Sequence, residues 1–196
     1  RFYTKPCVEI HTRQGHSAIV AYTHPLRYWD SWKETSTTEL GDRIAVVRRG
    51  GSFGIDKVPA DRIVLTAYLL GDGSCIDGIS FTSERASVLD EFRYFSSKYA
   101  EYMTYDKKGT EAKNVKLKCG CSTQIWGWLE EDGLARKHAW EKHIPDWVFA
   151  LPKNETALFL NRLWATDGHT KQNTGSKYSL EYCSSSKIMI YAIQAL

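Results

Sequence analysis

A chain of 196 residues, 42% of them hydrophobic, can bury a sizeable core in one or two domains. Charged residues make up 25% and the apolar run within Ile63 to Leu70 is short, far from the roughly 20 residues that span a bilayer, so no membrane span is expected. The net charge of +3 is unevenly spread, with basic residues gathered in Arg43 to Lys57 and Lys107 to Lys118 and acids at Glu130 to Asp132, a distribution that permits a nucleic-acid surface.

In chain order, Val8 to Thr12 alternates and turns at Gln14-Gly15 into Ser17 to Tyr22, which reads as a β-hairpin. Leu40 to Val47 reads as a further strand. The basic, glycine-containing stretch after it marks a boundary, giving residues 1–49, a linker over 50–57 and a second domain over 58–196. Pro59 opens a helix through Ile63 and Leu70 that stops at Gly73, where a residue free to take positive φ is expected. Cys75 to Thr82 has period-two character. Ala86 to Ala100 carries Val88, Phe92, Phe95 and Tyr99 at helical spacing. Tyr102 to Tyr105 and Asn114 to Cys119 form a hairpin across Lys107-Lys108-Gly109, and Gln124 to Glu131 is a short helix closed by Gly133. Beyond a segment bracketed by Pro145 and Pro152 the pattern restarts: a helix over Glu155 to Thr166, two strand-like stretches and a helix from Ser185. Helix, strand, strand, helix thus occurs twice, which implies a pseudo-twofold architecture.

Five cysteines, Cys7, Cys75, Cys119, Cys121 and Cys183, at irregular spacing point to reduced thiols, and Cys119 and Cys121 stand too close for a zinc knuckle. His138 and His143 lack an acidic partner in ligand register and read as structural. The first residues are followed by no apolar signal stretch, which makes an intracellular compartment the default.

Each repeat's first helix ends in Asp-Gly. Leu65-Thr66-Ala67-Tyr68-Leu69-Leu70-Gly71-Asp72-Gly73 and, with its aspartate 95 residues later, Leu160-Asn161-Arg162-Leu163-Trp164-Ala165-Thr166-Asp167-Gly168 resemble the paired motifs of the LAGLIDADG homing endonucleases. Glu141-Lys142-His143-Ile144-Pro145 resembles the Lys-x-Ile-Pro block before the second motif. The resemblance implies an α+β fold of αββαββα repeats, the second incomplete, acting as a monomer on a long double-stranded DNA target. It also implies that Asp72 and Asp167 hold Mg²⁺ or Mn²⁺. Phosphodiester hydrolysis needs neutralised phosphate charge and an activated water, which hard cations on carboxylates supply. Ala67 and Gly71 would give the first helix a flat seam, Gly73 and Gly168 would let the backbone turn abruptly, and Lys142 would stabilise phosphorane charge or orient water. In the second motif Arg162 and Thr166 stand where the small pair belongs, so either Trp164 and Leu163 shift the seam or Arg162 turns toward DNA phosphate.

Family members read the major groove with β-ribbons. Here Lys116 and Lys118, and in the second repeat Lys177, Ser179 and Glu181, would face outward opposite apolar neighbours, and Lys113 joins them as a DNA contact. The leading segment, with Thr12-Arg13-Gln14-Gly15, His24-Pro25 and Gly41-Asp42-Arg43-Ile44-Ala45, resembles the all-β, Hint-type splicing domain of an intein. In that block His24 would polarise the upstream peptide bond, although Ala21 replaces the usual threonine. Arg1 is not a splicing nucleophile and no terminal His-Asn pair is present, so the chain is expected to be a piece of a larger intein. The wording of both blocks is most similar to inteins of bacterial replicative DNA helicases. Two alternatives stay open: a DNA-binding relic without cleavage, for which Arg162 in the seam speaks, and an element whose main activity is protein splicing.

Overall fold

The computed structural model of the protein describes residues 4–46, 53–118, 122–172 and 178–196. The chain falls into two compact units, Arg1–Gly50 and Gly51–Leu196. Its class is α+β, with five α-helices and four small antiparallel sheets among the described residues. Among the described residues no helix is long and apolar enough to cross a membrane.

In the first unit β1 (Cys7–His11) pairs antiparallel with β2 (Ser17–Ala21), Val8 opposite Val20, across a turn where Gly15 takes φ +88°. A second hairpin of β3 (Pro25–Arg27) and β4 (Trp32–Glu34) follows, which the sequence pattern did not suggest. The strand expected over Leu40 to Val47 is absent from its described part, residues 40–46. The reason is local. Gly41 has φ +99°, and the Asp42 carboxylate accepts from the Glu39 amide at 3.1 Å and the Tyr28 hydroxyl at 3.0 Å, so the chain is bent where the strand would begin.

The second unit is built on α1 (Ala60–Leu70), whose residues from Ile63 to Leu70 are all at most 3% exposed. A helix apolar on every side is stable only inside, and this one is wrapped by its neighbours. After it come β5 (Gly73–Ser74), β6 (Ser80–Ser83), α2 (Ala86–Ser96), β7 (Tyr102–Asp106), β8 (Lys113–Leu117) and α3 (Gln124–Glu131). The strands form one sheet in the order β5-β6-β8-β7. Its inner face is fastened to the helices by Phe81, which stacks on Phe92 at 4.6 Å and meets Tyr68 at 5.3 Å. Helix α2 stops four residues short of the expected Ala100, and the segment after it closes in a turn where the Tyr99 and Ala100 amides both donate to the Ser96 carbonyl. Helix α3 is capped by Thr123, whose hydroxyl accepts from the Trp126 amide at 3.3 Å, and closes at Gly133 with φ +66°.

The repeat then restarts with α4 (Lys153–Asp167), β9 (Gly168–Gln172), β10 (Tyr178–Tyr182) and α5 (Lys187–Ala195). Helix α4 packs against α1 and buries Thr156, Phe159 and Leu163, which lie along one helical stripe. The ribbon β9–β10 corrects one expectation. Tyr178 and Leu180 do not face helices but are 64% and 72% exposed; on their face only Tyr182 finds cover, its ring 5.1 Å from Trp164 at the foot of the strand.

Candidate active site

The C-terminal ends of α1 and α4 meet at the seam between the repeats. Their approach is so close that a methyl group on Gly71 would lie 1.9 Å from the Thr166 hydroxyl oxygen and 2.5 Å from its Cβ. Tight packing is therefore achieved without a small residue at Thr166: the hydroxyl turns back to donate to its own helix, to the Leu163 carbonyl at 2.6 Å, and Gly71 makes the room. Ala67 is fully buried one turn earlier. Gly73 and Gly168 serve differently from expectation. Neither takes positive φ, and Gly168 is extended at φ −87°. Both are needed for space, since an added methyl would meet Leu69 Cα at 2.5 Å and Trp164 Cδ1 at 2.3 Å respectively.

Asp72 lies two residues beyond α1 and Asp167 is the last residue of α4, and both reach solvent. Each nevertheless stands where the charged form is costly. Desolvation by the surrounding chain and the neighbouring Asp167 push Asp72 up to about 6, against the offsetting charges of Lys142, Arg85 and Lys107. Asp167 is likewise raised by desolvation, with Lys142 opposing. Two oxygen-donor groups from different helix ends, both raised by desolvation and one of them also by the other's charge, fit a hard divalent cation, which would offset that cost. No cluster of three or more metal-ligating side chains occurs among the described residues, so two carboxylates are what the protein offers there.

Lys142 lies beneath the pair and is only 6% exposed. Its ammonium donates to the carbonyls of Leu69 at 2.8 Å, Leu70 at 3.0 Å and Gly73 at 2.9 Å, with Gly71 at 3.4 Å. These include the last carbonyls of α1, which have no partner within the helix. Burial draws the ammonium below lysine's ordinary value, while Cys75, Asp167 and Asp72 act in the other direction. The Ser186 hydroxyl donates to the Lys142 carbonyl at 2.6 Å, and the hydroxyl oxygen of Ser186 caps α5 by accepting from the Met189 amide at 3.2 Å. Ser186 escaped the sequence reading, although a serine directly before an apolar helix is a legible cap signal.

Arg162 does not turn outward. It makes a two-pronged ion pair with Glu91 of α2, at 2.9 Å from Nε and 2.6 Å from a terminal nitrogen, and the Tyr68 hydroxyl donates to the same carboxylate. Burial alone would raise the Glu91 carboxyl, but the Arg162 and Tyr68 hydrogen bonds outweigh it and hold the group below its ordinary value. Arg85, also unforeseen, sits directly before α2 and reaches across the seam to donate to the Ala165 carbonyl at 3.2 Å.

The strand residues expected to meet DNA divide. Val115 and Leu117 are buried while Lys116 and Lys118 are exposed, the alternation expected. Lys118 lies 3.4 Å from Glu101. Lys113 has the parity of the buried pair; it is exposed only because it stands at the strand's end, 3.8 Å from Asp106. Ser179 is half-buried and hydrogen-bonded to Glu181 at 3.2 Å, and Glu181 in turn binds His169 at 2.9 Å across the ribbon, so neither points freely outward. Lys177 lies outside the described residues, as do Cys119 and Cys121. In the first unit His24 is exposed in the turn after β2, its carbonyl accepting from the Thr35 amide and hydroxyl at 2.9 and 2.8 Å.

No family model matches the chain. It is 26% identical to the replicative DNA helicase DnaB of Rhodothermus marinus over a 204-residue alignment that covers 98% of this chain and 22% of the relative. The DnaB of Synechocystis sp. is 24% identical, with 94% and 23% covered. Protein RecA of Mycobacterium tuberculosis is 25% identical over 84% of this chain and 22% of the relative. The chain spans about a fifth of the length of the curated relatives it matches.

Proposed function

We propose that residues 58–196 are a site-specific double-stranded DNA endonuclease of the LAGLIDADG type, carried with part of a splicing domain in an intein whose host is a replicative DNA helicase. The observation that carries this reading is the pair Asp72 and Asp167, delivered by two repeats to one tightly packed seam. Asp72 and Asp167 would hold the divalent cation. Mg²⁺ or Mn²⁺ bound there would neutralise charge on the scissile phosphate and lower the pKa of a water. The chain's own contribution is placement: Gly71 brings the helix ends together, and Lys142 fixes the carbonyls from which Asp72 departs. Exposed Lys116 and Lys118 on the outer face of the sheet would meet the duplex.

The comparisons support the intein part of the reading in a particular way. One segment resembles about a fifth of proteins with two different names, a DNA helicase and RecA, as a portable insert would. A share in a nucleotide-driven motor is the competing explanation. It would call for a Gly-x-x-x-x-Gly-Lys-Ser/Thr phosphate loop on a parallel sheet, whereas this sequence has no such loop and the described strands pair antiparallel. A DNA-binding relic loses its main support once Arg162 is seen on Glu91 rather than in the seam.

The test is Mg²⁺-dependent cleavage of a duplex made by joining the coding sequences that flank the matched segment in a DnaB relative. Cuts in both strands near the junction are expected, and tight binding without cuts would instead favour the relic.

A further inference from the structure

The residue expected to face phosphate is not free to do so. Lys142 has three ammonium hydrogens and four carbonyl oxygens within 3.4 Å, in a place only 6% exposed. Turning it toward a substrate would strand the carbonyls at the end of α1, a loss comparable to leaving buried acceptors unmade. A second cation is therefore required at the acid pair if the phosphate's charge is to be met by protein.

Arg85 has the position and the spare donors. Its backbone is held on both sides: the amide donates to the Ser83 hydroxyl at 3.2 Å, and the carbonyl accepts from the Leu89 amide at 3.1 Å as the first turn of α2. Its side chain crosses from the first repeat to the last turn of α4, where one terminal nitrogen donates to the Ala165 carbonyl at 3.2 Å, two residues before Asp167. That carbonyl belongs to the negative end of the helix, which suits a guanidinium. Among the described residues this is the side chain's only hydrogen bond, so most of its five N–H donors remain directed at solvent. The charge lies close enough to Asp72 to oppose its rise in pKa. A planar fork anchored at one end and open at the other matches two oxygens of a phosphodiester.

We propose that Arg85 is the phosphate-binding residue of the acid pair, gripping the non-bridging oxygens of the scissile phosphodiester, and that Lys142 is a positioning residue that sets the end of α1. This rests on the nuclease reading above. The experiment uses the full chain and the joined-flank duplex, with Arg85→Gln and Arg85→Lys beside the wild type. Three quantities are measured: single-turnover cleavage, the salt dependence of metal-free binding, and melting temperature. Arg85→Gln is expected to slow cleavage by about 10²–10³-fold and to reduce the salt slope of binding by about one. Its melting temperature should stay within about 2 °C of wild type, since the lost bond is exposed. Arg85→Lys should recover at least a tenth of the wild-type rate. Cleavage by Arg85→Gln within threefold of wild type overturns the proposal. So does a loss that tracks a lowered melting temperature and is not restored by lysine, which would mark Arg85 as a mere tie to Ala165. A wild type that binds without cutting overturns the nuclease reading instead, and the salt slope then decides on Arg85: unchanged by Arg85→Gln, it removes the phosphate contact. A wild type that neither binds nor cuts removes both.

Discussion

At the scale of single residues the site is a matter of crowding. Gly71 exists because Thr166 occupies the space where a methyl would go, and Gly71→Ala is expected to cost about 1–3 kcal/mol by overpacking a seam that has nowhere to expand. Chemical denaturation would read that loss directly. Asp72 is crowded electrostatically. With its folded pKa raised to about 6 from an ordinary 3.8, the folded protein holds more protons than the unfolded chain between those values, so Asp72 makes stability fall as pH rises through that window. Metal-free Asp72→Asn should therefore melt about 1–3 °C above wild type at pH 8, the small size reflecting an exposed carboxylate, and the difference should close toward pH 4. Scanning calorimetry at the two pH values checks both the sign and the window. Lys142→Met should be worse than any surface lysine change, by about 2–3 kcal/mol, because it leaves the α1 carbonyls without a donor.

At the scale of elements, the helices are held in register by polar ties the sequence did not announce. The Arg162, Glu91 and Tyr68 cluster joins α4, α2 and α1, and a double-mutant cycle on Arg162→Met and Glu91→Gln is expected to give a coupling of about 1 kcal/mol at pH 7. Since Glu91 is held below its ordinary value, that coupling should persist as pH falls to about 4.5 and disappear only below it. A coupling near zero at neutral pH would show that the pair is incidental. The elements themselves were largely legible: apolar spacing marked α1, α2 and α4, Gly133 closed α3, and glycine turns marked the hairpins at Gly15 and Gly109. What failed had local causes. The Asp42 turn erased the strand after Leu40, and the period-two pattern of β10 could not say that Leu180 would have no helix over it. Partners distant in sequence, such as Glu91 for Arg162 or Ala165 for Arg85, leave no periodic trace, so neither role could be read before the fold was known.

At the scale of the whole molecule, the repeat explains why the acids could be named from sequence while their support could not. Helix, strand, strand, helix twice over puts equivalent helix ends at a pseudo-twofold seam, and any aspartate that closes both helices arrives there together. The supporting shell breaks that symmetry. Gly71 faces Thr166, the Lys142 ammonium donates to carbonyls at the α1 end, and Arg85 donates to a carbonyl of α4. For the proposed nuclease, an asymmetric shell around a symmetric acid pair would suit a duplex target without twofold symmetry. The central claim is that this pair cuts DNA. Its most direct measurement is single-turnover cleavage of the joined-flank duplex in Mg²⁺ by wild type, Asp72→Asn and Asp167→Asn, each first shown to be folded and to bind. Cuts in both strands by wild type, slowed by about 10³-fold or more in each variant, are the expected result, as for groups that act as one unit. Wild-type rates in either variant, or a wild type that binds and leaves both strands whole, would contradict it.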